Sequence, residues 1–222
     1  MSSSWAAASA GALNEHLRAT KAKLDAAVAP GGGDRKVTIV MGNESCDLDS
    51  VVSAVVYSRM LSAPLAGNTS TAGGAHAEGK DAEIVMPMLN IEAADFNLRQ
   101  DIVLLFRQLQ LDTNNILFLD TPNADLVALN AAGRLDLKLV DHNTLAARQT
   151  VLGTSITSVV DHHKDEQANY PHVVDSDIRM VGSCASLVAE RASISVASDV
   201  QFDRTADGTK CVDVDVAVLT AQ

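Results

Sequence analysis

The chain has 222 residues, 47% of them hydrophobic, and its 17 Lys and Arg against 28 Asp and Glu leave a formal net charge of −11. This length and apolar content supply one large core, with a single α/β domain as the simplest arrangement. The charge excludes a nucleic-acid binder built on a broad basic surface, since such binding needs many cations to neutralise phosphates.

No apolar run reaches the roughly 18 residues needed to span a bilayer, so no membrane association is expected. Cys46, Cys184 and Cys211 are odd in number and lack metal-ligand spacing, which points to reduced thiols and a cytoplasmic location. Glu15 and Asp25 among Arg18, Lys21 and Lys23 speak against a transit peptide.

Taken in order, the Ser- and Ala-rich residues 1–10 are expected to fray. Leu13, Leu17, Leu24 and Val28 then recur at helical spacing until Pro30 and the Gly31-Gly32-Gly33 run stop the pattern. Residues 1–33 thus read as a helix and a flexible joint, and residues 34–222 as the main domain. Apolar runs at 37–41, 84–88, 116–119, 137–140 and 156–160 predict strands, with helix patterns near 50–61, 97–109, 124–132 and 184–191. That alternation predicts an α/β fold with a doubly wound, mainly parallel sheet. Residues 63–80, rich in Gly, Ala, Thr and Ser, predict a surface insertion.

Polar residues follow four of the strand runs: Asn43 after the first, Asp120 after the third, Asp141-His142-Asn143 after the fourth and Asp161-His162-His163 after the fifth. In an open parallel sheet, ligands bind at the carboxyl ends of the strands. Asp and His suit Mn²⁺, Mg²⁺ or Co²⁺, and the candidate ligands are Asn43, Asp47, Asp49, Asp141 and His162. Asp47 and Asp49, two apart on a loop entering a helix, each address one ion of a close pair, and Asp141 bridges them. Two such ions lower the pKa of a shared water, so no Ser or Cys nucleophile is required. His163 and His142 are the catalytic candidates, His163 also as a donor to a substrate phosphate or leaving group. Each piece has a plainer reading. Asp49 or Ser50 caps a helix, the histidine triplets are ordinary loop residues, and Asp120 serves a turn. Recurrence after successive strands favours the metal site.

These residues carry a resemblance to the DHH phosphoesterases, in particular the exopolyphosphatase and prune branch, relatives of manganese-dependent inorganic pyrophosphatases. The motifs are Gly42-Asn43-Glu44-Ser45-Cys46-Asp47-Leu48-Asp49-Ser50, Leu139-Val140-Asp141-His142-Asn143, Asp161-His162-His163 and Val181-Gly182-Ser183-Cys184-Ala185-Ser186-Leu187-Val188. Met86-Pro87-Met88-Leu89-Asn90-Ile91 with Asp95-Phe96-Asn97-Leu98-Arg99 resembles the exopolyphosphatase and prune branch, as does Asn43 where pyrophosphatases carry a His.

The resemblance implies a metal-dependent exopolyphosphatase with two divalent ions, acting on polyphosphate or another small phosphoanhydride. It also makes Arg99 a phosphate ligand, for which a guanidinium fork is well shaped. In such proteins a later strand ends in a further Asp ligand, and a second domain closes the site with basic residues. Asp213 and Asp215 do not match that ligand and the sequence stops at Gln222, so a C-terminally truncated domain is expected. Three alternatives stand beside this reading: a prune-like hydrolase of short polyphosphates or cyclic nucleotides, an inorganic pyrophosphatase, and a non-catalytic metal- or polyphosphate-binding fragment.

Overall fold

The apolar runs become strands because branched and large apolar side chains fill both faces of a sheet that helices cover on each side. The computed structural model describes residues 3–62, 83–167 and 170–197. In chain order the strands are β1 (Val37–Met41), β2 (Ile84–Leu89), β3 (Leu117–Phe118), β4 (Leu135–Val140), β5 (Ile156–Asp161) and β6 (Asp175–Ile178). The helices are α1 (Ser3–Val28), α2 (Leu48–Leu61), α3 (Gln100–Gln108), α4 (Leu126–Ala131) and α5 (Cys184–Ala197), with 3-10 turns at Ala93–Leu98, Thr113–Asn115 and Ala147–Ser155. The sheet runs β3-β2-β1-β4-β5-β6 and every pairing is parallel.

Neighbouring residues on β1 serve opposite faces. Val37, Ile39 and Met41 join Leu24 and Ala27 of α1, Leu126 and Leu129 of α4 and Leu137 and Leu139 of β4 in one core. Val40 joins Ala54 and Tyr57 of α2 and Leu187 and Val188 of α5 in the other. Helices therefore lie on both faces, as a doubly wound sheet requires. A third cluster, including Leu17, Val51, Ile102, Phe106 and Phe118, lies where α1, α2 and α3 meet β3.

Sequence expectation and structure part at several elements. Helix α1 starts at Ser3, because an Ala-rich segment has the best helix propensity available, so residues 3–10 are helical where fraying was expected. The 97–109 helix divides into a 3-10 turn and α3, with Arg99 at the joint in a non-helical conformation (φ −93°, ψ 71°). Strand β3 is only two residues long. The Phe118 N–H donates to Thr121 Oγ1 and the Leu119 N–H to the Ile91 carbonyl, which turns the chain away early. Strand β6 was not anticipated, because Asp175-Ser176-Asp177-Ile178 shows no apolar alternation. It is an edge strand whose Asp175 pairs with Arg191 and whose Asp177 pairs with Arg179, a charged edge of the kind that resists further pairing. The insertion expected at 63–80, together with Asp213 and Asp215, lies outside the described residues.

The chain runs outward from β1 to β3 and then returns to place β4 on the other flank of β1. That reversal opens a crevice between the carboxyl ends of β1 and β4, the place where open α/β sheets hold their ligands. The Asn43 loop leaves β1 there, and Asp141 follows β4 directly.

Candidate metal centre

The turn from β1 into α2 depends on Gly42. A Cβ there would lie 2.3 Å from Ser50 Oγ and 3.2 Å from the Ser50 carbonyl oxygen. Ser50 Oγ instead accepts a 2.7 Å bond from the Asn43 N–H, and Asp47 Oδ1 caps α2 by accepting from the Ser50 N–H at 3.0 Å. The cap is thus Asp47, where the plainer sequence reading had named Asp49 or Ser50. Asn43 Oδ1 accepts from Ser45 Oγ and the Cys46 N–H, each at 3.0 Å. Its Nδ2 donates to Asp141 Oδ2 at 2.9 Å, so Asn43 orients Asp141 in this arrangement.

Asp49 points the other way, across to α5. Its carboxylate accepts from Ser183 Oγ (2.7 Å) and from the N–H groups of Cys184 (2.8 Å) and Ala185 (2.9 Å). These amides belong to the first turn of α5 and have no partner within the helix. Burial would raise the Asp49 pKa, but the bonds from Ser183, Ala185 and Cys184, aided by His162, outweigh it and bring the pKa below the ordinary value. Asp49 therefore stays ionised and fixed.

Three lone-pair donors meet beside this clamp. His162 Nδ1 lies 3.1 Å from the Val181 carbonyl, which can only accept, so Nδ1 carries a proton and Nε2 is the nitrogen turned toward the carboxylates. That Nε2 lies 3.2 Å from Asp141 Oδ1 and 3.5 Å from Asp49 Oδ2. Asp141 is 1% exposed, and its Oδ1 has no hydrogen-bond partner among the described residues. Burial, then the charges of Asp49 and Asp47, push the Asp141 pKa up to about 7. A buried carboxylate oxygen without a hydrogen-bond partner among the described residues, faced by a second carboxylate and an imidazole nitrogen, is a place that a cation would fit. Ligand atoms of Asp141, His162 and His163 also lie within 4.8 Å of one another. The donor set of carboxylate oxygens and imidazole nitrogen fits a divalent ion of the Mn²⁺, Mg²⁺ or Co²⁺ kind.

The two histidine triplets are knitted together by Asp161 and Asn143, which the sequence placed in the triplets without a role of their own. Asp161 is fully buried; its Oδ1 accepts from the His163 N–H at 3.1 Å and binds His163 Nδ1 at 2.8 Å. Asn143 Nδ2 donates to Asp161 Oδ2 at 2.6 Å, and Asn143 Oδ1 accepts from the Glu166 N–H at 2.9 Å. His163 is half exposed and stacks at a tilt on His162, with ring centres 4.2 Å apart. Desolvation lowers its pKa, but the Asp161 bond and charge exceed that and leave it above the ordinary value. His142 places Nδ1 2.9 Å from the Val140 carbonyl, and its Nε2 is buried without a partner among the described residues. Burial chiefly lowers its pKa, so it is a neutral acceptor near pH 7. Nothing in the spacing of these triplets reveals which side chain serves which.

A cleft of about 390 Å³ covers Asp141, His142, Asp161 and His163 and is walled by Asn43, Glu44 and Glu166. Arg99 does not line it. Arg99 sits beside Cys46, acting on its thiol, with Nε buried and unpartnered among the described residues. Asp120 lies in the turn after β3 and accepts from the Ala93 N–H at 2.8 Å. Cys46 and Cys184 are free thiols, pushed by burial up to about 11 and about 12, so neither is a thiolate nucleophile. Cys211 lies outside the described residues.

Among known proteins, the rat and human proteins named "Exopolyphosphatase PRUNE1" are 38% and 37% identical over 159 residues, 71% of this chain and 31% of theirs. Mouse "Protein prune homolog 2" is 26% identical over 166 residues, 74% of this chain and 5% of its own length. The chain therefore spans about a third of the length of the first two relatives. Residues 37–214 match the DHH family, N-terminal domain. This stretch takes in the Asn43 loop, Asp141 and the Asp161-His162-His163 triplet, and the chain belongs to the DHH family.

Proposed function

We propose that the chain is the metal-binding part of a hydrolase that releases terminal phosphate from inorganic polyphosphate, using two divalent ions, Mn²⁺, Mg²⁺ or Co²⁺. The observation that carries this is the meeting of Asp49 Oδ2, Asp141 Oδ1 and His162 Nε2 in one crevice; the names of the relatives favour the substrate. Bound ions would polarise a phosphoryl oxygen and supply water of lowered pKa.

The chain's own residues do the rest. Asp49, Asp141 and His162 hold the ions, with Asp47 adding its charge nearby and Asn43 orienting Asp141. Hydrolysis adds water across the terminal P–O–P bond, and the departing chain end takes up a proton. His163, held through Nδ1 by Asp161, presents Nε2 for that proton or for a phosphate oxygen. His142 offers a lone pair at the same wall. Residues 34–222 form this catalytic unit and residues 1–33 precede it. Free buried thiols suit a cytoplasmic protein.

The test is titration of metal-stripped protein with Mn²⁺ and Mg²⁺, wild type against Asp141→Ala, followed by phosphate release from tripolyphosphate, long polyphosphate, pyrophosphate and a cyclic nucleotide. We expect metal binding that Asp141→Ala abolishes and Asp120→Ala leaves intact, with long polyphosphate preferred. The 222-residue chain should turn over slowly beside a version extended to the length of the relatives. Absence of metal binding would overturn the reading.

A further inference from the structure

The cleft above Asp141 and His163 poses a problem for any polyanion. Its walls carry Glu44, Asp161 and Glu166 but no Lys or Arg among the described residues. Bound ions offset part of this charge, and a chain of phosphates extends beyond them. A cation tied by its side chain to the cleft wall is Arg148, whose Nη2 lies 2.8 Å from Glu44 Oε1. Arg148 lines the adjoining cleft of about 400 Å³, beside Asp120 and Leu152, so the ion pair stands between the two clefts. Glu44 in turn is close enough to His142 to act on its charge.

We propose that Arg148 is a phosphate-binding residue held in reserve by Glu44: polyphosphate bound at the metal centre takes the Arg148 guanidinium from Glu44 and anchors its chain there. This deepens the function proposed above and rests on it. The pair is exposed, 60% at Arg148 and 48% at Glu44, and an exposed pair of this kind holds its partners weakly. Glu44 returns to water when released, while the planar fork of Arg148 gains an acceptor with two oxygens on one phosphate.

The backbone under Arg148 is firm. The next residue, Gln149, is buried and donates to Asn90 Oδ1 at 2.7 Å, and Asn90 Nδ2 donates to the Gly42 carbonyl at 3.0 Å. Arg148 is thereby fixed relative to the loop that carries Asn43 and Asp47, and only its side chain has to swing.

The competing explanation is that the pair merely pins the Asn43 loop, and two variants separate the alternatives by sign. In a reserve, Glu44→Gln frees the guanidinium and Arg148→Ala removes it. In a pin, both changes loosen the same loop. The measurement is equilibrium binding of inorganic tripolyphosphate to the 222-residue chain loaded with Mg²⁺, with Mg²⁺ affinity read separately. We expect Arg148→Ala to raise the Kd for tripolyphosphate about tenfold and flatten its salt dependence. Glu44→Gln should lower the Kd about threefold, and Mg²⁺ affinity should hold in Arg148→Ala. Equal binding by Arg148→Ala and wild type, or weakening by both variants, would overturn the role of Arg148 alone. Wild-type protein that binds Mg²⁺ but no tripolyphosphate would overturn the proposed substrate and this inference together.

Discussion

Asp141 combines a left-handed backbone, φ +64°, with a buried carboxylate whose pKa is near 7, and each feature costs stability. Between the ordinary carboxylate pKa of 3.8 and the folded value, the folded state binds more protons than the unfolded one. Metal-free stability therefore falls as pH rises through this window and levels off above about 7. His163 acts in the same direction: its raised pKa contributes stability that is present below its ordinary value of 6.5 and is lost as pH rises through the folded value. Asp141→Asn should flatten the profile and, without metal, stabilise the protein near pH 7.5 by on the order of 1–2 kcal/mol. Thermal unfolding in chelator from about pH 5 to 8 checks this, and a lower melting point for the variant near pH 7.5 would count against the assignment. Asp161→Asn should reduce phosphate release about 10–100-fold by freeing the His163 ring, with a much smaller change in Mn²⁺ affinity.

The element that matters most to the site is the β1–α2 turn. Gly42→Ala would force a methyl group against Ser50 Oγ, disturbing both the Asn43 N–H bond and the start of α2. We expect a loss of about 1–3 kcal/mol in denaturant unfolding, together with weaker metal binding. A variant as stable as wild type would show that the turn relaxes freely. Helix α5 reaches the site by a different route: its first amides hold Asp49, so its packing through Leu187 and Val188 governs a proposed metal ligand far from it in sequence. Strand β6 covers the β5 edge.

For the whole molecule, a metal bound at the proposed site would be coupled to folding, because the crevice joins β1, α2, β4, β5 and α5 and exists only when all are assembled. Any ion that binds the folded state alone stabilises it by mass action, about 2.7 kcal/mol at a hundred times its Kd. Mn²⁺ should therefore raise the melting temperature of the chain by several degrees, chelator should reverse the shift, and Asp141→Ala should abolish it. A melting temperature indifferent to Mn²⁺ would contradict the site. Among the described residues no helix is long and apolar enough to cross a membrane.

The sequence by itself determined the sheet and the rim. Periodicity and apolar runs are local signals, so β1, β2, β4 and β5 were legible within a residue or two at each end, and with them the placing of Asn43, Asp141 and Asp161-His162-His163 after strands. Edge strand β6 escaped, and β3 is two residues long within the expected 116–119, because their conformations are set by neighbours, Arg191 and Thr121 among them, and not by their own residues. Tertiary structure alone decided the division of labour in the site. That Asp49 is clamped by α5, that Asn43 donates to Asp141 and that Asn143 donates to Asp161 all depend on contacts between residues 18 to 136 positions apart. Such pairings follow from strand order and helix packing, which place hydrogen-bonding groups that no sequence spacing brings together.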